Sequence, residues 1–502
     1  VIHQFSLLAI GGQSEAWYLG RGARVMQIVR CIFLLFLHLA LTVQGVAVQN
    51  MPTAWEPPHP INDQCCAAYP VPIADPWGQL HLFWADADRY IWYTRRTETG
   101  WLQPREVLAN PGRNPAAGLD TAIDTRGRLH LIWRDGSTGN ALYYASAFVQ
   151  QADDARFWTA PVELAPRALG AALAVDADNK VYVAYTPFEA GQSFNLIISE
   201  DGLEWSQPIA APSRLDNNFT GGSFVSMAID ANNTIHVAWN SQRYPNGYPE
   251  HAVFYQCSTD GGTSWSEPYD PDPLPPAVDA NTESHFKNKM LKVAVGPAGD
   301  VHLTWHQYTG YRFHRWSADG GVTWSEKESL FPNMGPAYNG PVDMAFDSSG
   351  RMHVVASRAA IWYRSRSLDG QWTPPELVDP TPADWHHHRV AVVNGNQVYL
   401  FYSDINETGI LWSTRKTVTA PAVAPLPLPT PVVVAVTATP RPMTASATAS
   451  VRAALVAAVT PLPEVAREAP YSANTVSFWL LALGPAFLLV GAVMIAHLRR
   501  QR

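Results

Sequence analysis

Arg113, Arg134, Arg167, Arg243 and Arg389, with Asp135, His306 and Tyr308 among them, stand at matching phases of a sequence that rewrites itself roughly every fifty residues. Converging guanidinium groups can grip a carboxylate through paired, charge-assisted hydrogen bonds, and aromatic rings can stack on sugar faces. These eight side chains are the candidate ligand-binding set, and a glycan is the chemistry they suit. The same loops carry Asp86, Glu189, Asn217, Tyr244, His285, Lys287, Asn339, Asp404, Glu407 and the run Asp384-Trp-His-His-His-Arg389. That His run lacks the carboxylate spacing of a metal site, so neither metal nor cofactor is expected.

Such residues converge only if the intervening chain brings them to one face. Its clearest word is a strand, Leu80-His-Leu-Phe-Trp84. The word returns at Leu129–Trp133, Val181–Tyr185, Ile235–Trp239, Val301–Trp305, Met352–Ala356 and Val398–Tyr402. An apolar strand and a tight Asp/Asn/Gly turn precede each copy. A third strand follows, then a fourth that opens on an aromatic residue and often carries Pro, as a solvent-facing edge strand tolerates. The pattern predicts an all-β chain of four-stranded antiparallel blades, seven in number, with six as the alternative if one weak repeat merges with its neighbour. In such a ring the blade-to-blade and second-to-third loops share a face, which is where the candidate residues fall.

A second motif marks the opposite face. Ser317-Ala-Asp-Gly-Gly-Val-Thr-Trp324 is echoed by Ser258-Thr-Asp-Gly-Gly-Thr-Ser-Trp265 and by shorter forms ending at Trp205 and Trp372. The carboxylates of Asp201, Asp260, Asp319 and Asp369 can accept backbone N–H groups of their own turns, Gly permits positive φ, and the Trp is a large apolar plug. These residues are read as structural. His81, His130, His236, His302 and His353 share one strand position and are read as packing or hydrogen-bonding groups.

The Ser-x-Asp-x-Gly-x-Thr-Trp pattern resembles the Asp-box, or BNR, repeat of the sialidase superfamily. The resemblance covers most of residues 55–415 and implies a β-propeller. Enzymes of that superfamily hold the sialic acid carboxylate with three arginines and use a Glu-activated Tyr as nucleophile and an Asp as acid/base. Their first arginine sits in an Arg-Ile-Pro-like motif, where this chain reads Cys65-Cys-Ala-Ala-Tyr-Pro70. Arg113, Arg167 or Arg389 would have to serve from other blades, with Tyr402 or Tyr308 as nucleophile.

The last repeat ends on a third strand, Ile410–Ser413, while Trp55-Glu-Pro-Pro-His-Pro-Ile61 stands ahead of the first repeat as an orphan fourth strand. Pairing the two closes the ring and hides its edges. The propeller is thus expected over 50–418. Residues 1–47 read as a leader, with Arg21, Arg24 and Arg30 before an apolar run and small residues at Gly45 and Ala47. A Pro/Ala/Thr-rich stalk follows over 419–475, then an apolar membrane-spanning stretch over 476–498 and a basic tail over 499–502. The expected placement is an extracellular ring tethered by one C-terminal helix.

A formal net charge of −8 without basic blocks argues against a nucleic-acid partner. Four Cys in 502 residues make no disulfide scaffold; Cys257 reads as a packing thiol and Cys65–Cys66 as a candidate vicinal pair. Two functions remain: a surface propeller that binds a glycan or another extracellular ligand, favoured by the absent Arg motif, and an exo-sialidase with rearranged site residues.

Overall fold

Each repeated word is a β-strand enclosed on both sides, as in Leu80–Ala85, Val181–Thr186, Val301–Gln307 and Met352–Ser357, every residue of which is buried. Such a strand must lie between two sheets and between two neighbours within its own sheet. The computed structural model describes residues 55–62, 67–136, 140–245, 250–273, 288–307, 310–332, 342–357, 360–380, 388–403 and 409–429, all within one compact unit, Val1–Val432.

Seven antiparallel sheets result. Blade 1 holds Ala68–Ala74, Leu80–Ala85, Tyr90–Thr97 and Arg105–Ala109, with Gly100–Trp101 beside its third strand. Blade 2 holds Ala116–Ile123, Arg128–Asp135, Asn140–Phe148 and Val162–Ala168, and blade 3 holds Gly170–Val175, Val181–Thr186, Asn195–Ser199 and Ile209–Ala210. Blade 4 has Phe219–Ile229, Ile235–Arg243 and Glu250–Ser258, its fourth strand reduced to a bridge between Tyr255 and Tyr269. Blade 5 comprises Asn288–Val295, Val301–Gln307, Arg312–Ser317 and Glu328–Ser329; blade 6 comprises Asp343–Phe346, Met352–Ser357, Ile361–Arg366 and Glu376–Asp379. Blade 7 takes Arg389–Val393, Gln397–Ser403 and Leu411–Thr417 from the end of the chain and His59–Pro60 from its beginning. The first strands of successive blades adjoin all the way round, blade 7 to blade 1 included. This is a closed seven-bladed propeller.

Ring closure follows the expected route. His59 pairs with Ser413 and Pro60 with Trp412, Glu56 N–H donates to Arg415 O, and Ile61 N–H donates to Leu411 O. The Arg415 guanidinium also meets Glu56 Oε1 at 2.7 Å.

One aromatic contact sits at every blade junction. Trp158 meets Phe83 across blades 2 and 1, Trp205 meets Tyr144, Trp265 meets Phe194, and Trp324 meets Tyr255, at ring centroids 4.8–5.7 Å apart and steep interplanar angles. Trp372 stands perpendicular to His314 between blades 6 and 5, and Trp101 meets Phe401 across the closure. The seventh is Trp55 on Tyr363, supplied by the N-terminal strand. Edge-to-face pairs of this kind contribute about 1 kcal/mol each beyond the area they bury. In each of blades 3, 4 and 5 the Trp precedes the fourth strand instead of opening it as the sequence suggested.

The Asp residues that end the first strands act on their own turns. Asp75 Oδ1 accepts Trp77 and Gln79 N–H, and Asp124, Asp176, Asp230 and Asp347 repeat the arrangement. In blades 1 and 6 the second carboxylate oxygen reaches the buried His of the next strand, which in turn meets a Tyr hydroxyl: Asp75–His81–Tyr93 and Asp347–His353–Tyr363 have both links at 2.6–3.1 Å, while in blade 3 Asp176 accepts the Tyr182 hydroxyl directly. Blade 5 begins its turn with Gly296, and Asp300 at the far end of the turn supplies the carboxylate to His302 at 2.6 Å. The five repeated His are thus interior hydrogen-bonding groups, as expected.

In the Ser-Asp-Gly turns the carboxylates accept hydrogen bonds from their own turns. Asp319 accepts Val322 N–H, Thr323 N–H and the Ser317 and Thr323 hydroxyls; Asp260 and Asp201 do the same for their turns. In the shorter fourth copy, Asp369 receives the Ser367 hydroxyl.

After the last strand the chain runs across the same underside as an extended strap. Ser348 Oγ donates to Pro421 O, Val423 N–H donates to Asn394 O, and Leu426 N–H donates to Pro76 O. Gln150 Nε2 then donates to Pro429 O at 2.9 Å. Pro425 lies so close to Gly78, which is at φ +85, that a Cβ there would stand 2.8 Å from its ring. The strap therefore touches blades 6, 7, 1 and 2 in turn. The Cys65–Cys66 pair, the leader, the remainder of the stalk and the apolar stretch lie outside the described residues; among the described residues no helix is long and apolar enough to cross a membrane.

Candidate functional site

The first strands form the innermost layer, so their inward side chains determine what the channel offers a ligand. Strand register identifies one equivalent position in all seven, the residue paired with the fourth letter of the repeated word. It is Val71, Asp120, Ala172, Ser226, Lys292, Asp343 and Arg389 in blades 1 to 7. Four of the seven are ionisable, and three of those, Lys292, Asp343 and Arg389, occupy consecutive blades.

Two effects fix these groups. The side chain at this position in one blade accepts the N–H that follows the same position in the next: Leu173 N–H to Asp120, Val293 N–H to Ser226, and Val390 N–H to Asp343. Lys292 Nζ lies 3.2 Å from the other oxygen of Asp343. Arg389 is half-buried and donates to His388 O at 2.8 Å.

The two carboxyls are pushed apart in acidity. Burial raises Asp120 above the ordinary carboxylate range, and the charges of Lys292 and Arg389 with the N–H groups of Leu173 and Thr121 do not fully offset it. Burial acts on Asp343 in the same sense, but Lys292, Arg389 and the Val390 N–H outweigh it and hold the carboxyl below its ordinary value. The ring layer therefore offers a carboxyl inclined to keep a proton, a firmly ionised carboxylate and two cations.

The residues singled out from sequence divide among several roles. Arg389 joins the ring layer as the first residue of its strand. Arg134 is buried and donates to Leu169 O at 2.5 Å; burial brings its guanidinium down to about 10. Asp135 secures the loop between blades 1 and 2, accepting Asn110 Nδ2 at 2.8 Å and Asn114 N–H at 2.9 Å. Arg113 is exposed on that loop. Arg167 lies in the fourth strand of blade 2 with its guanidinium 4.3 Å from the Phe188 ring centroid, and Arg243 ends the second strand of blade 4 at 5.7 Å from Phe219. Both are exposed, and both belong to strands where the sequence suggested loops. His306 is fully buried in the second strand of blade 5. Tyr308, with Asp384, His386 and His387, lies outside the described residues.

Tyr402 is enclosed between blades 6 and 7, and its hydroxyl donates to Asp379. Burial, then the Asp379 contact, drives its acidity far below that of a free phenol. It has the surroundings of a core group. Asp120, Lys292 and Asp343 were not singled out from sequence. The signal was present, since each is a charge standing four residues before the residue that opens the turn.

Among the described residues no group of three or more His, Cys, Asp or Glu could hold a metal ion. A recess of about 510 Å³ lined by Arg105, Gln151, Asp154 and Phe157 opens on the outer edge of blades 1 and 2.

No protein family and no curated protein matches this chain. Solved structures of similar fold include an ulvan lyase from a polysaccharide lyase family, at 11% identity over 72% of this chain and 94% of that one, TM-score 0.49. A leech intramolecular trans-sialidase matches at 12% identity over 75% and 71%, TM-score 0.42, and an α-L-arabinanase of Penicillium chrysogenum at 12% over 60% and 93%, TM-score 0.40. The likeness is one of fold.

Proposed function

We propose that this propeller is a cell-surface protein that binds glycans at its central ring, exported by the 1–47 leader and held by the apolar stretch 476–498. The observation that carries the reading is the Lys292–Asp343–Arg389 series on three consecutive blades. Two cations beside an ionised carboxylate supply both donors and an acceptor at one level of the channel, the combination that a hydroxyl-rich ligand with an acidic substituent requires. Asp201, Asp260 and Asp319 are committed to their turns on the other face and leave this layer as the polar one. A glycan array probed with the purified chain tests the proposal: Arg389→Ala should weaken the bound spots at least ten-fold without lowering the unfolding midpoint. A wild-type array blank at every spot sinks it.

A second reading, an exo-acting glycoside hydrolase of sialidase type, is favoured by Asp120, whose raised pKa suits a general acid. Turnover of a fluorogenic sialoside, abolished by Asp120→Asn, would establish it. The Cys65–Pro70 segment, without an arginine, weighs for the binding reading.

A further inference from the structure

Apart from the channel, blades 2 to 4 carry two aromatic pairs on the loop face. Phe188 and Tyr244 have ring centroids 5.3 Å apart, and Phe219 and His251 stack at 4.4 Å. All four rings are partly exposed. Each pair bears an exposed guanidinium, Arg167 over Phe188 at 4.3 Å and Arg243 over Phe219 at 5.7 Å. Backbone bonds join the pairs: Tyr244 N–H donates to Asn218 O and Gly191 N–H to Phe219 O.

The local sequence is built for this approach. Thr220 Oγ1 donates to Pro187 O, and Gly221 N–H donates to Gln192 O. A Cβ at Gly221 would lie 1.9 Å from Ser193 O, and one at Gly222 would lie 2.3 Å from Asn240 Oδ1. Gly221 is required because the backbones of blades 3 and 4 touch there, and Gly222 because the Asn240 side chain of its own blade fills the space. The nearby Glu189 carboxylate accepts the Gln192 side-chain amide and keeps its charge.

We propose that this platform is a second saccharide site, for an extended anionic glycan chain whose carboxylates or sulfates meet Arg167 and Arg243 while its sugar faces lie on the four rings. A guanidinium lying against a ring keeps its N–H groups in its own plane, and those not already engaged can pair with an acidic group. Less side-chain freedom is then lost on binding. Two such units on adjacent blades fit a repeating polyanion better than a single sugar, because engaging both makes the second contact intramolecular.

The test uses the full chain with polygalacturonate and dextran sulfate as polyanions and unmodified dextran as the neutral control, in affinity electrophoresis at several salt concentrations. Retardation by at least one polyanion and not by dextran is expected, with Arg167→Gln and Arg243→Gln each weakening it five-fold or more and their combination weakening it further. Phe188→Leu should do likewise while leaving the unfolding midpoint in place. The losses caused by Arg167→Gln and Arg243→Gln should persist when measured in an Arg389→Ala background, so failure of the central ring and failure of the platform are separable. Equal retardation by dextran, wild-type behaviour of both arginine variants, or no retardation of the wild-type chain overturns the proposal.

Discussion

Trp55 meets Tyr363 edge-on, ring centroids 5.1 Å apart and planes at 78°, and so completes with an N-terminal residue a series that the other six blade junctions build from Trp residues further along the chain. Trp55 is 6% exposed and lies in the same core cluster as Tyr402 and Val398. Closing the ring and filling its last junction are therefore one event.

Trp55→Ala should cost about 3–5 kcal/mol, as loss of a buried Trp does. It should also lower the unfolding midpoint more than Trp324→Ala, which removes a junction not at the closure. Urea titrations of both variants followed by tryptophan fluorescence check this. Equal midpoints would mean that the closure is not the weak seam.

Stability should fall on mild acidification. Burial, assisted by His302, pushes His314 down to about 4 against the pull of its Glu328 hydrogen bond. An unfolded imidazole takes its proton near 6.5, so the unfolded chain binds more protons between pH 6.5 and 4. The stabilisation is complete above that window and declines through it, by on the order of 1 kcal/mol per pH unit. His81, His130, His236 and His353 are displaced in the same direction by burial. Urea midpoints recorded from pH 7 to 4 should slope downward, and His314→Gln should flatten part of that slope.

The Ser-Asp-Gly turns govern a lower window. Hydrogen bonds from Thr323 and Ser317 bring Asp319 down to about 2. A depressed carboxyl stabilises the fold above its unfolded value near 4, and the effect is lost as pH falls through about 2. Asp319→Asn should make near-ultraviolet circular dichroism of the adjoining Trp324 insensitive to pH between 4 and 2. It should leave glycan binding unchanged, since the turn lies on the underside.

Tyr402→Phe should destabilise the chain by about 1–2 kcal/mol by removing a donor from the buried Asp379. Any ligand binding or turnover should survive the change. A variant that is stable yet inactive would restore Tyr402 as a reacting group.

The ring was legible in the sequence because each blade repeats the constraints of the last. Seven copies of one buried strand, a Pro-containing orphan at the front and an incomplete repeat at the back left few ways to arrange the sheets. The site was less legible. Arg134 and Asp135 fall at the right phase for the loop face, yet one turns inward to Leu169 O and the other ties down Asn110 and Asn114. A phase assigns a residue to a face; it does not say whether the side chain reaches solvent or serves its own loop. Asp120, Lys292 and Asp343 each carry a sequence signal, a charge four residues before the turn, but that they share one layer shows only when first strands are aligned on their pairing register. The stretch from Pro421 to Pro429 reads from composition as the start of a linker, and no composition tells which surface an extended segment will lie along.

That strap determines how the disc would bear a pull at Pro429. Tension there would first act along the strap's bonds to Gln150, Pro76, Asn394 and Ser348, strung beneath four consecutive sheets and loaded largely in shear. Leu411–Thr417, which pairs with His59–Pro60 to close the ring, would feel the load last. A propeller wired in this way resists unzipping at its own seam.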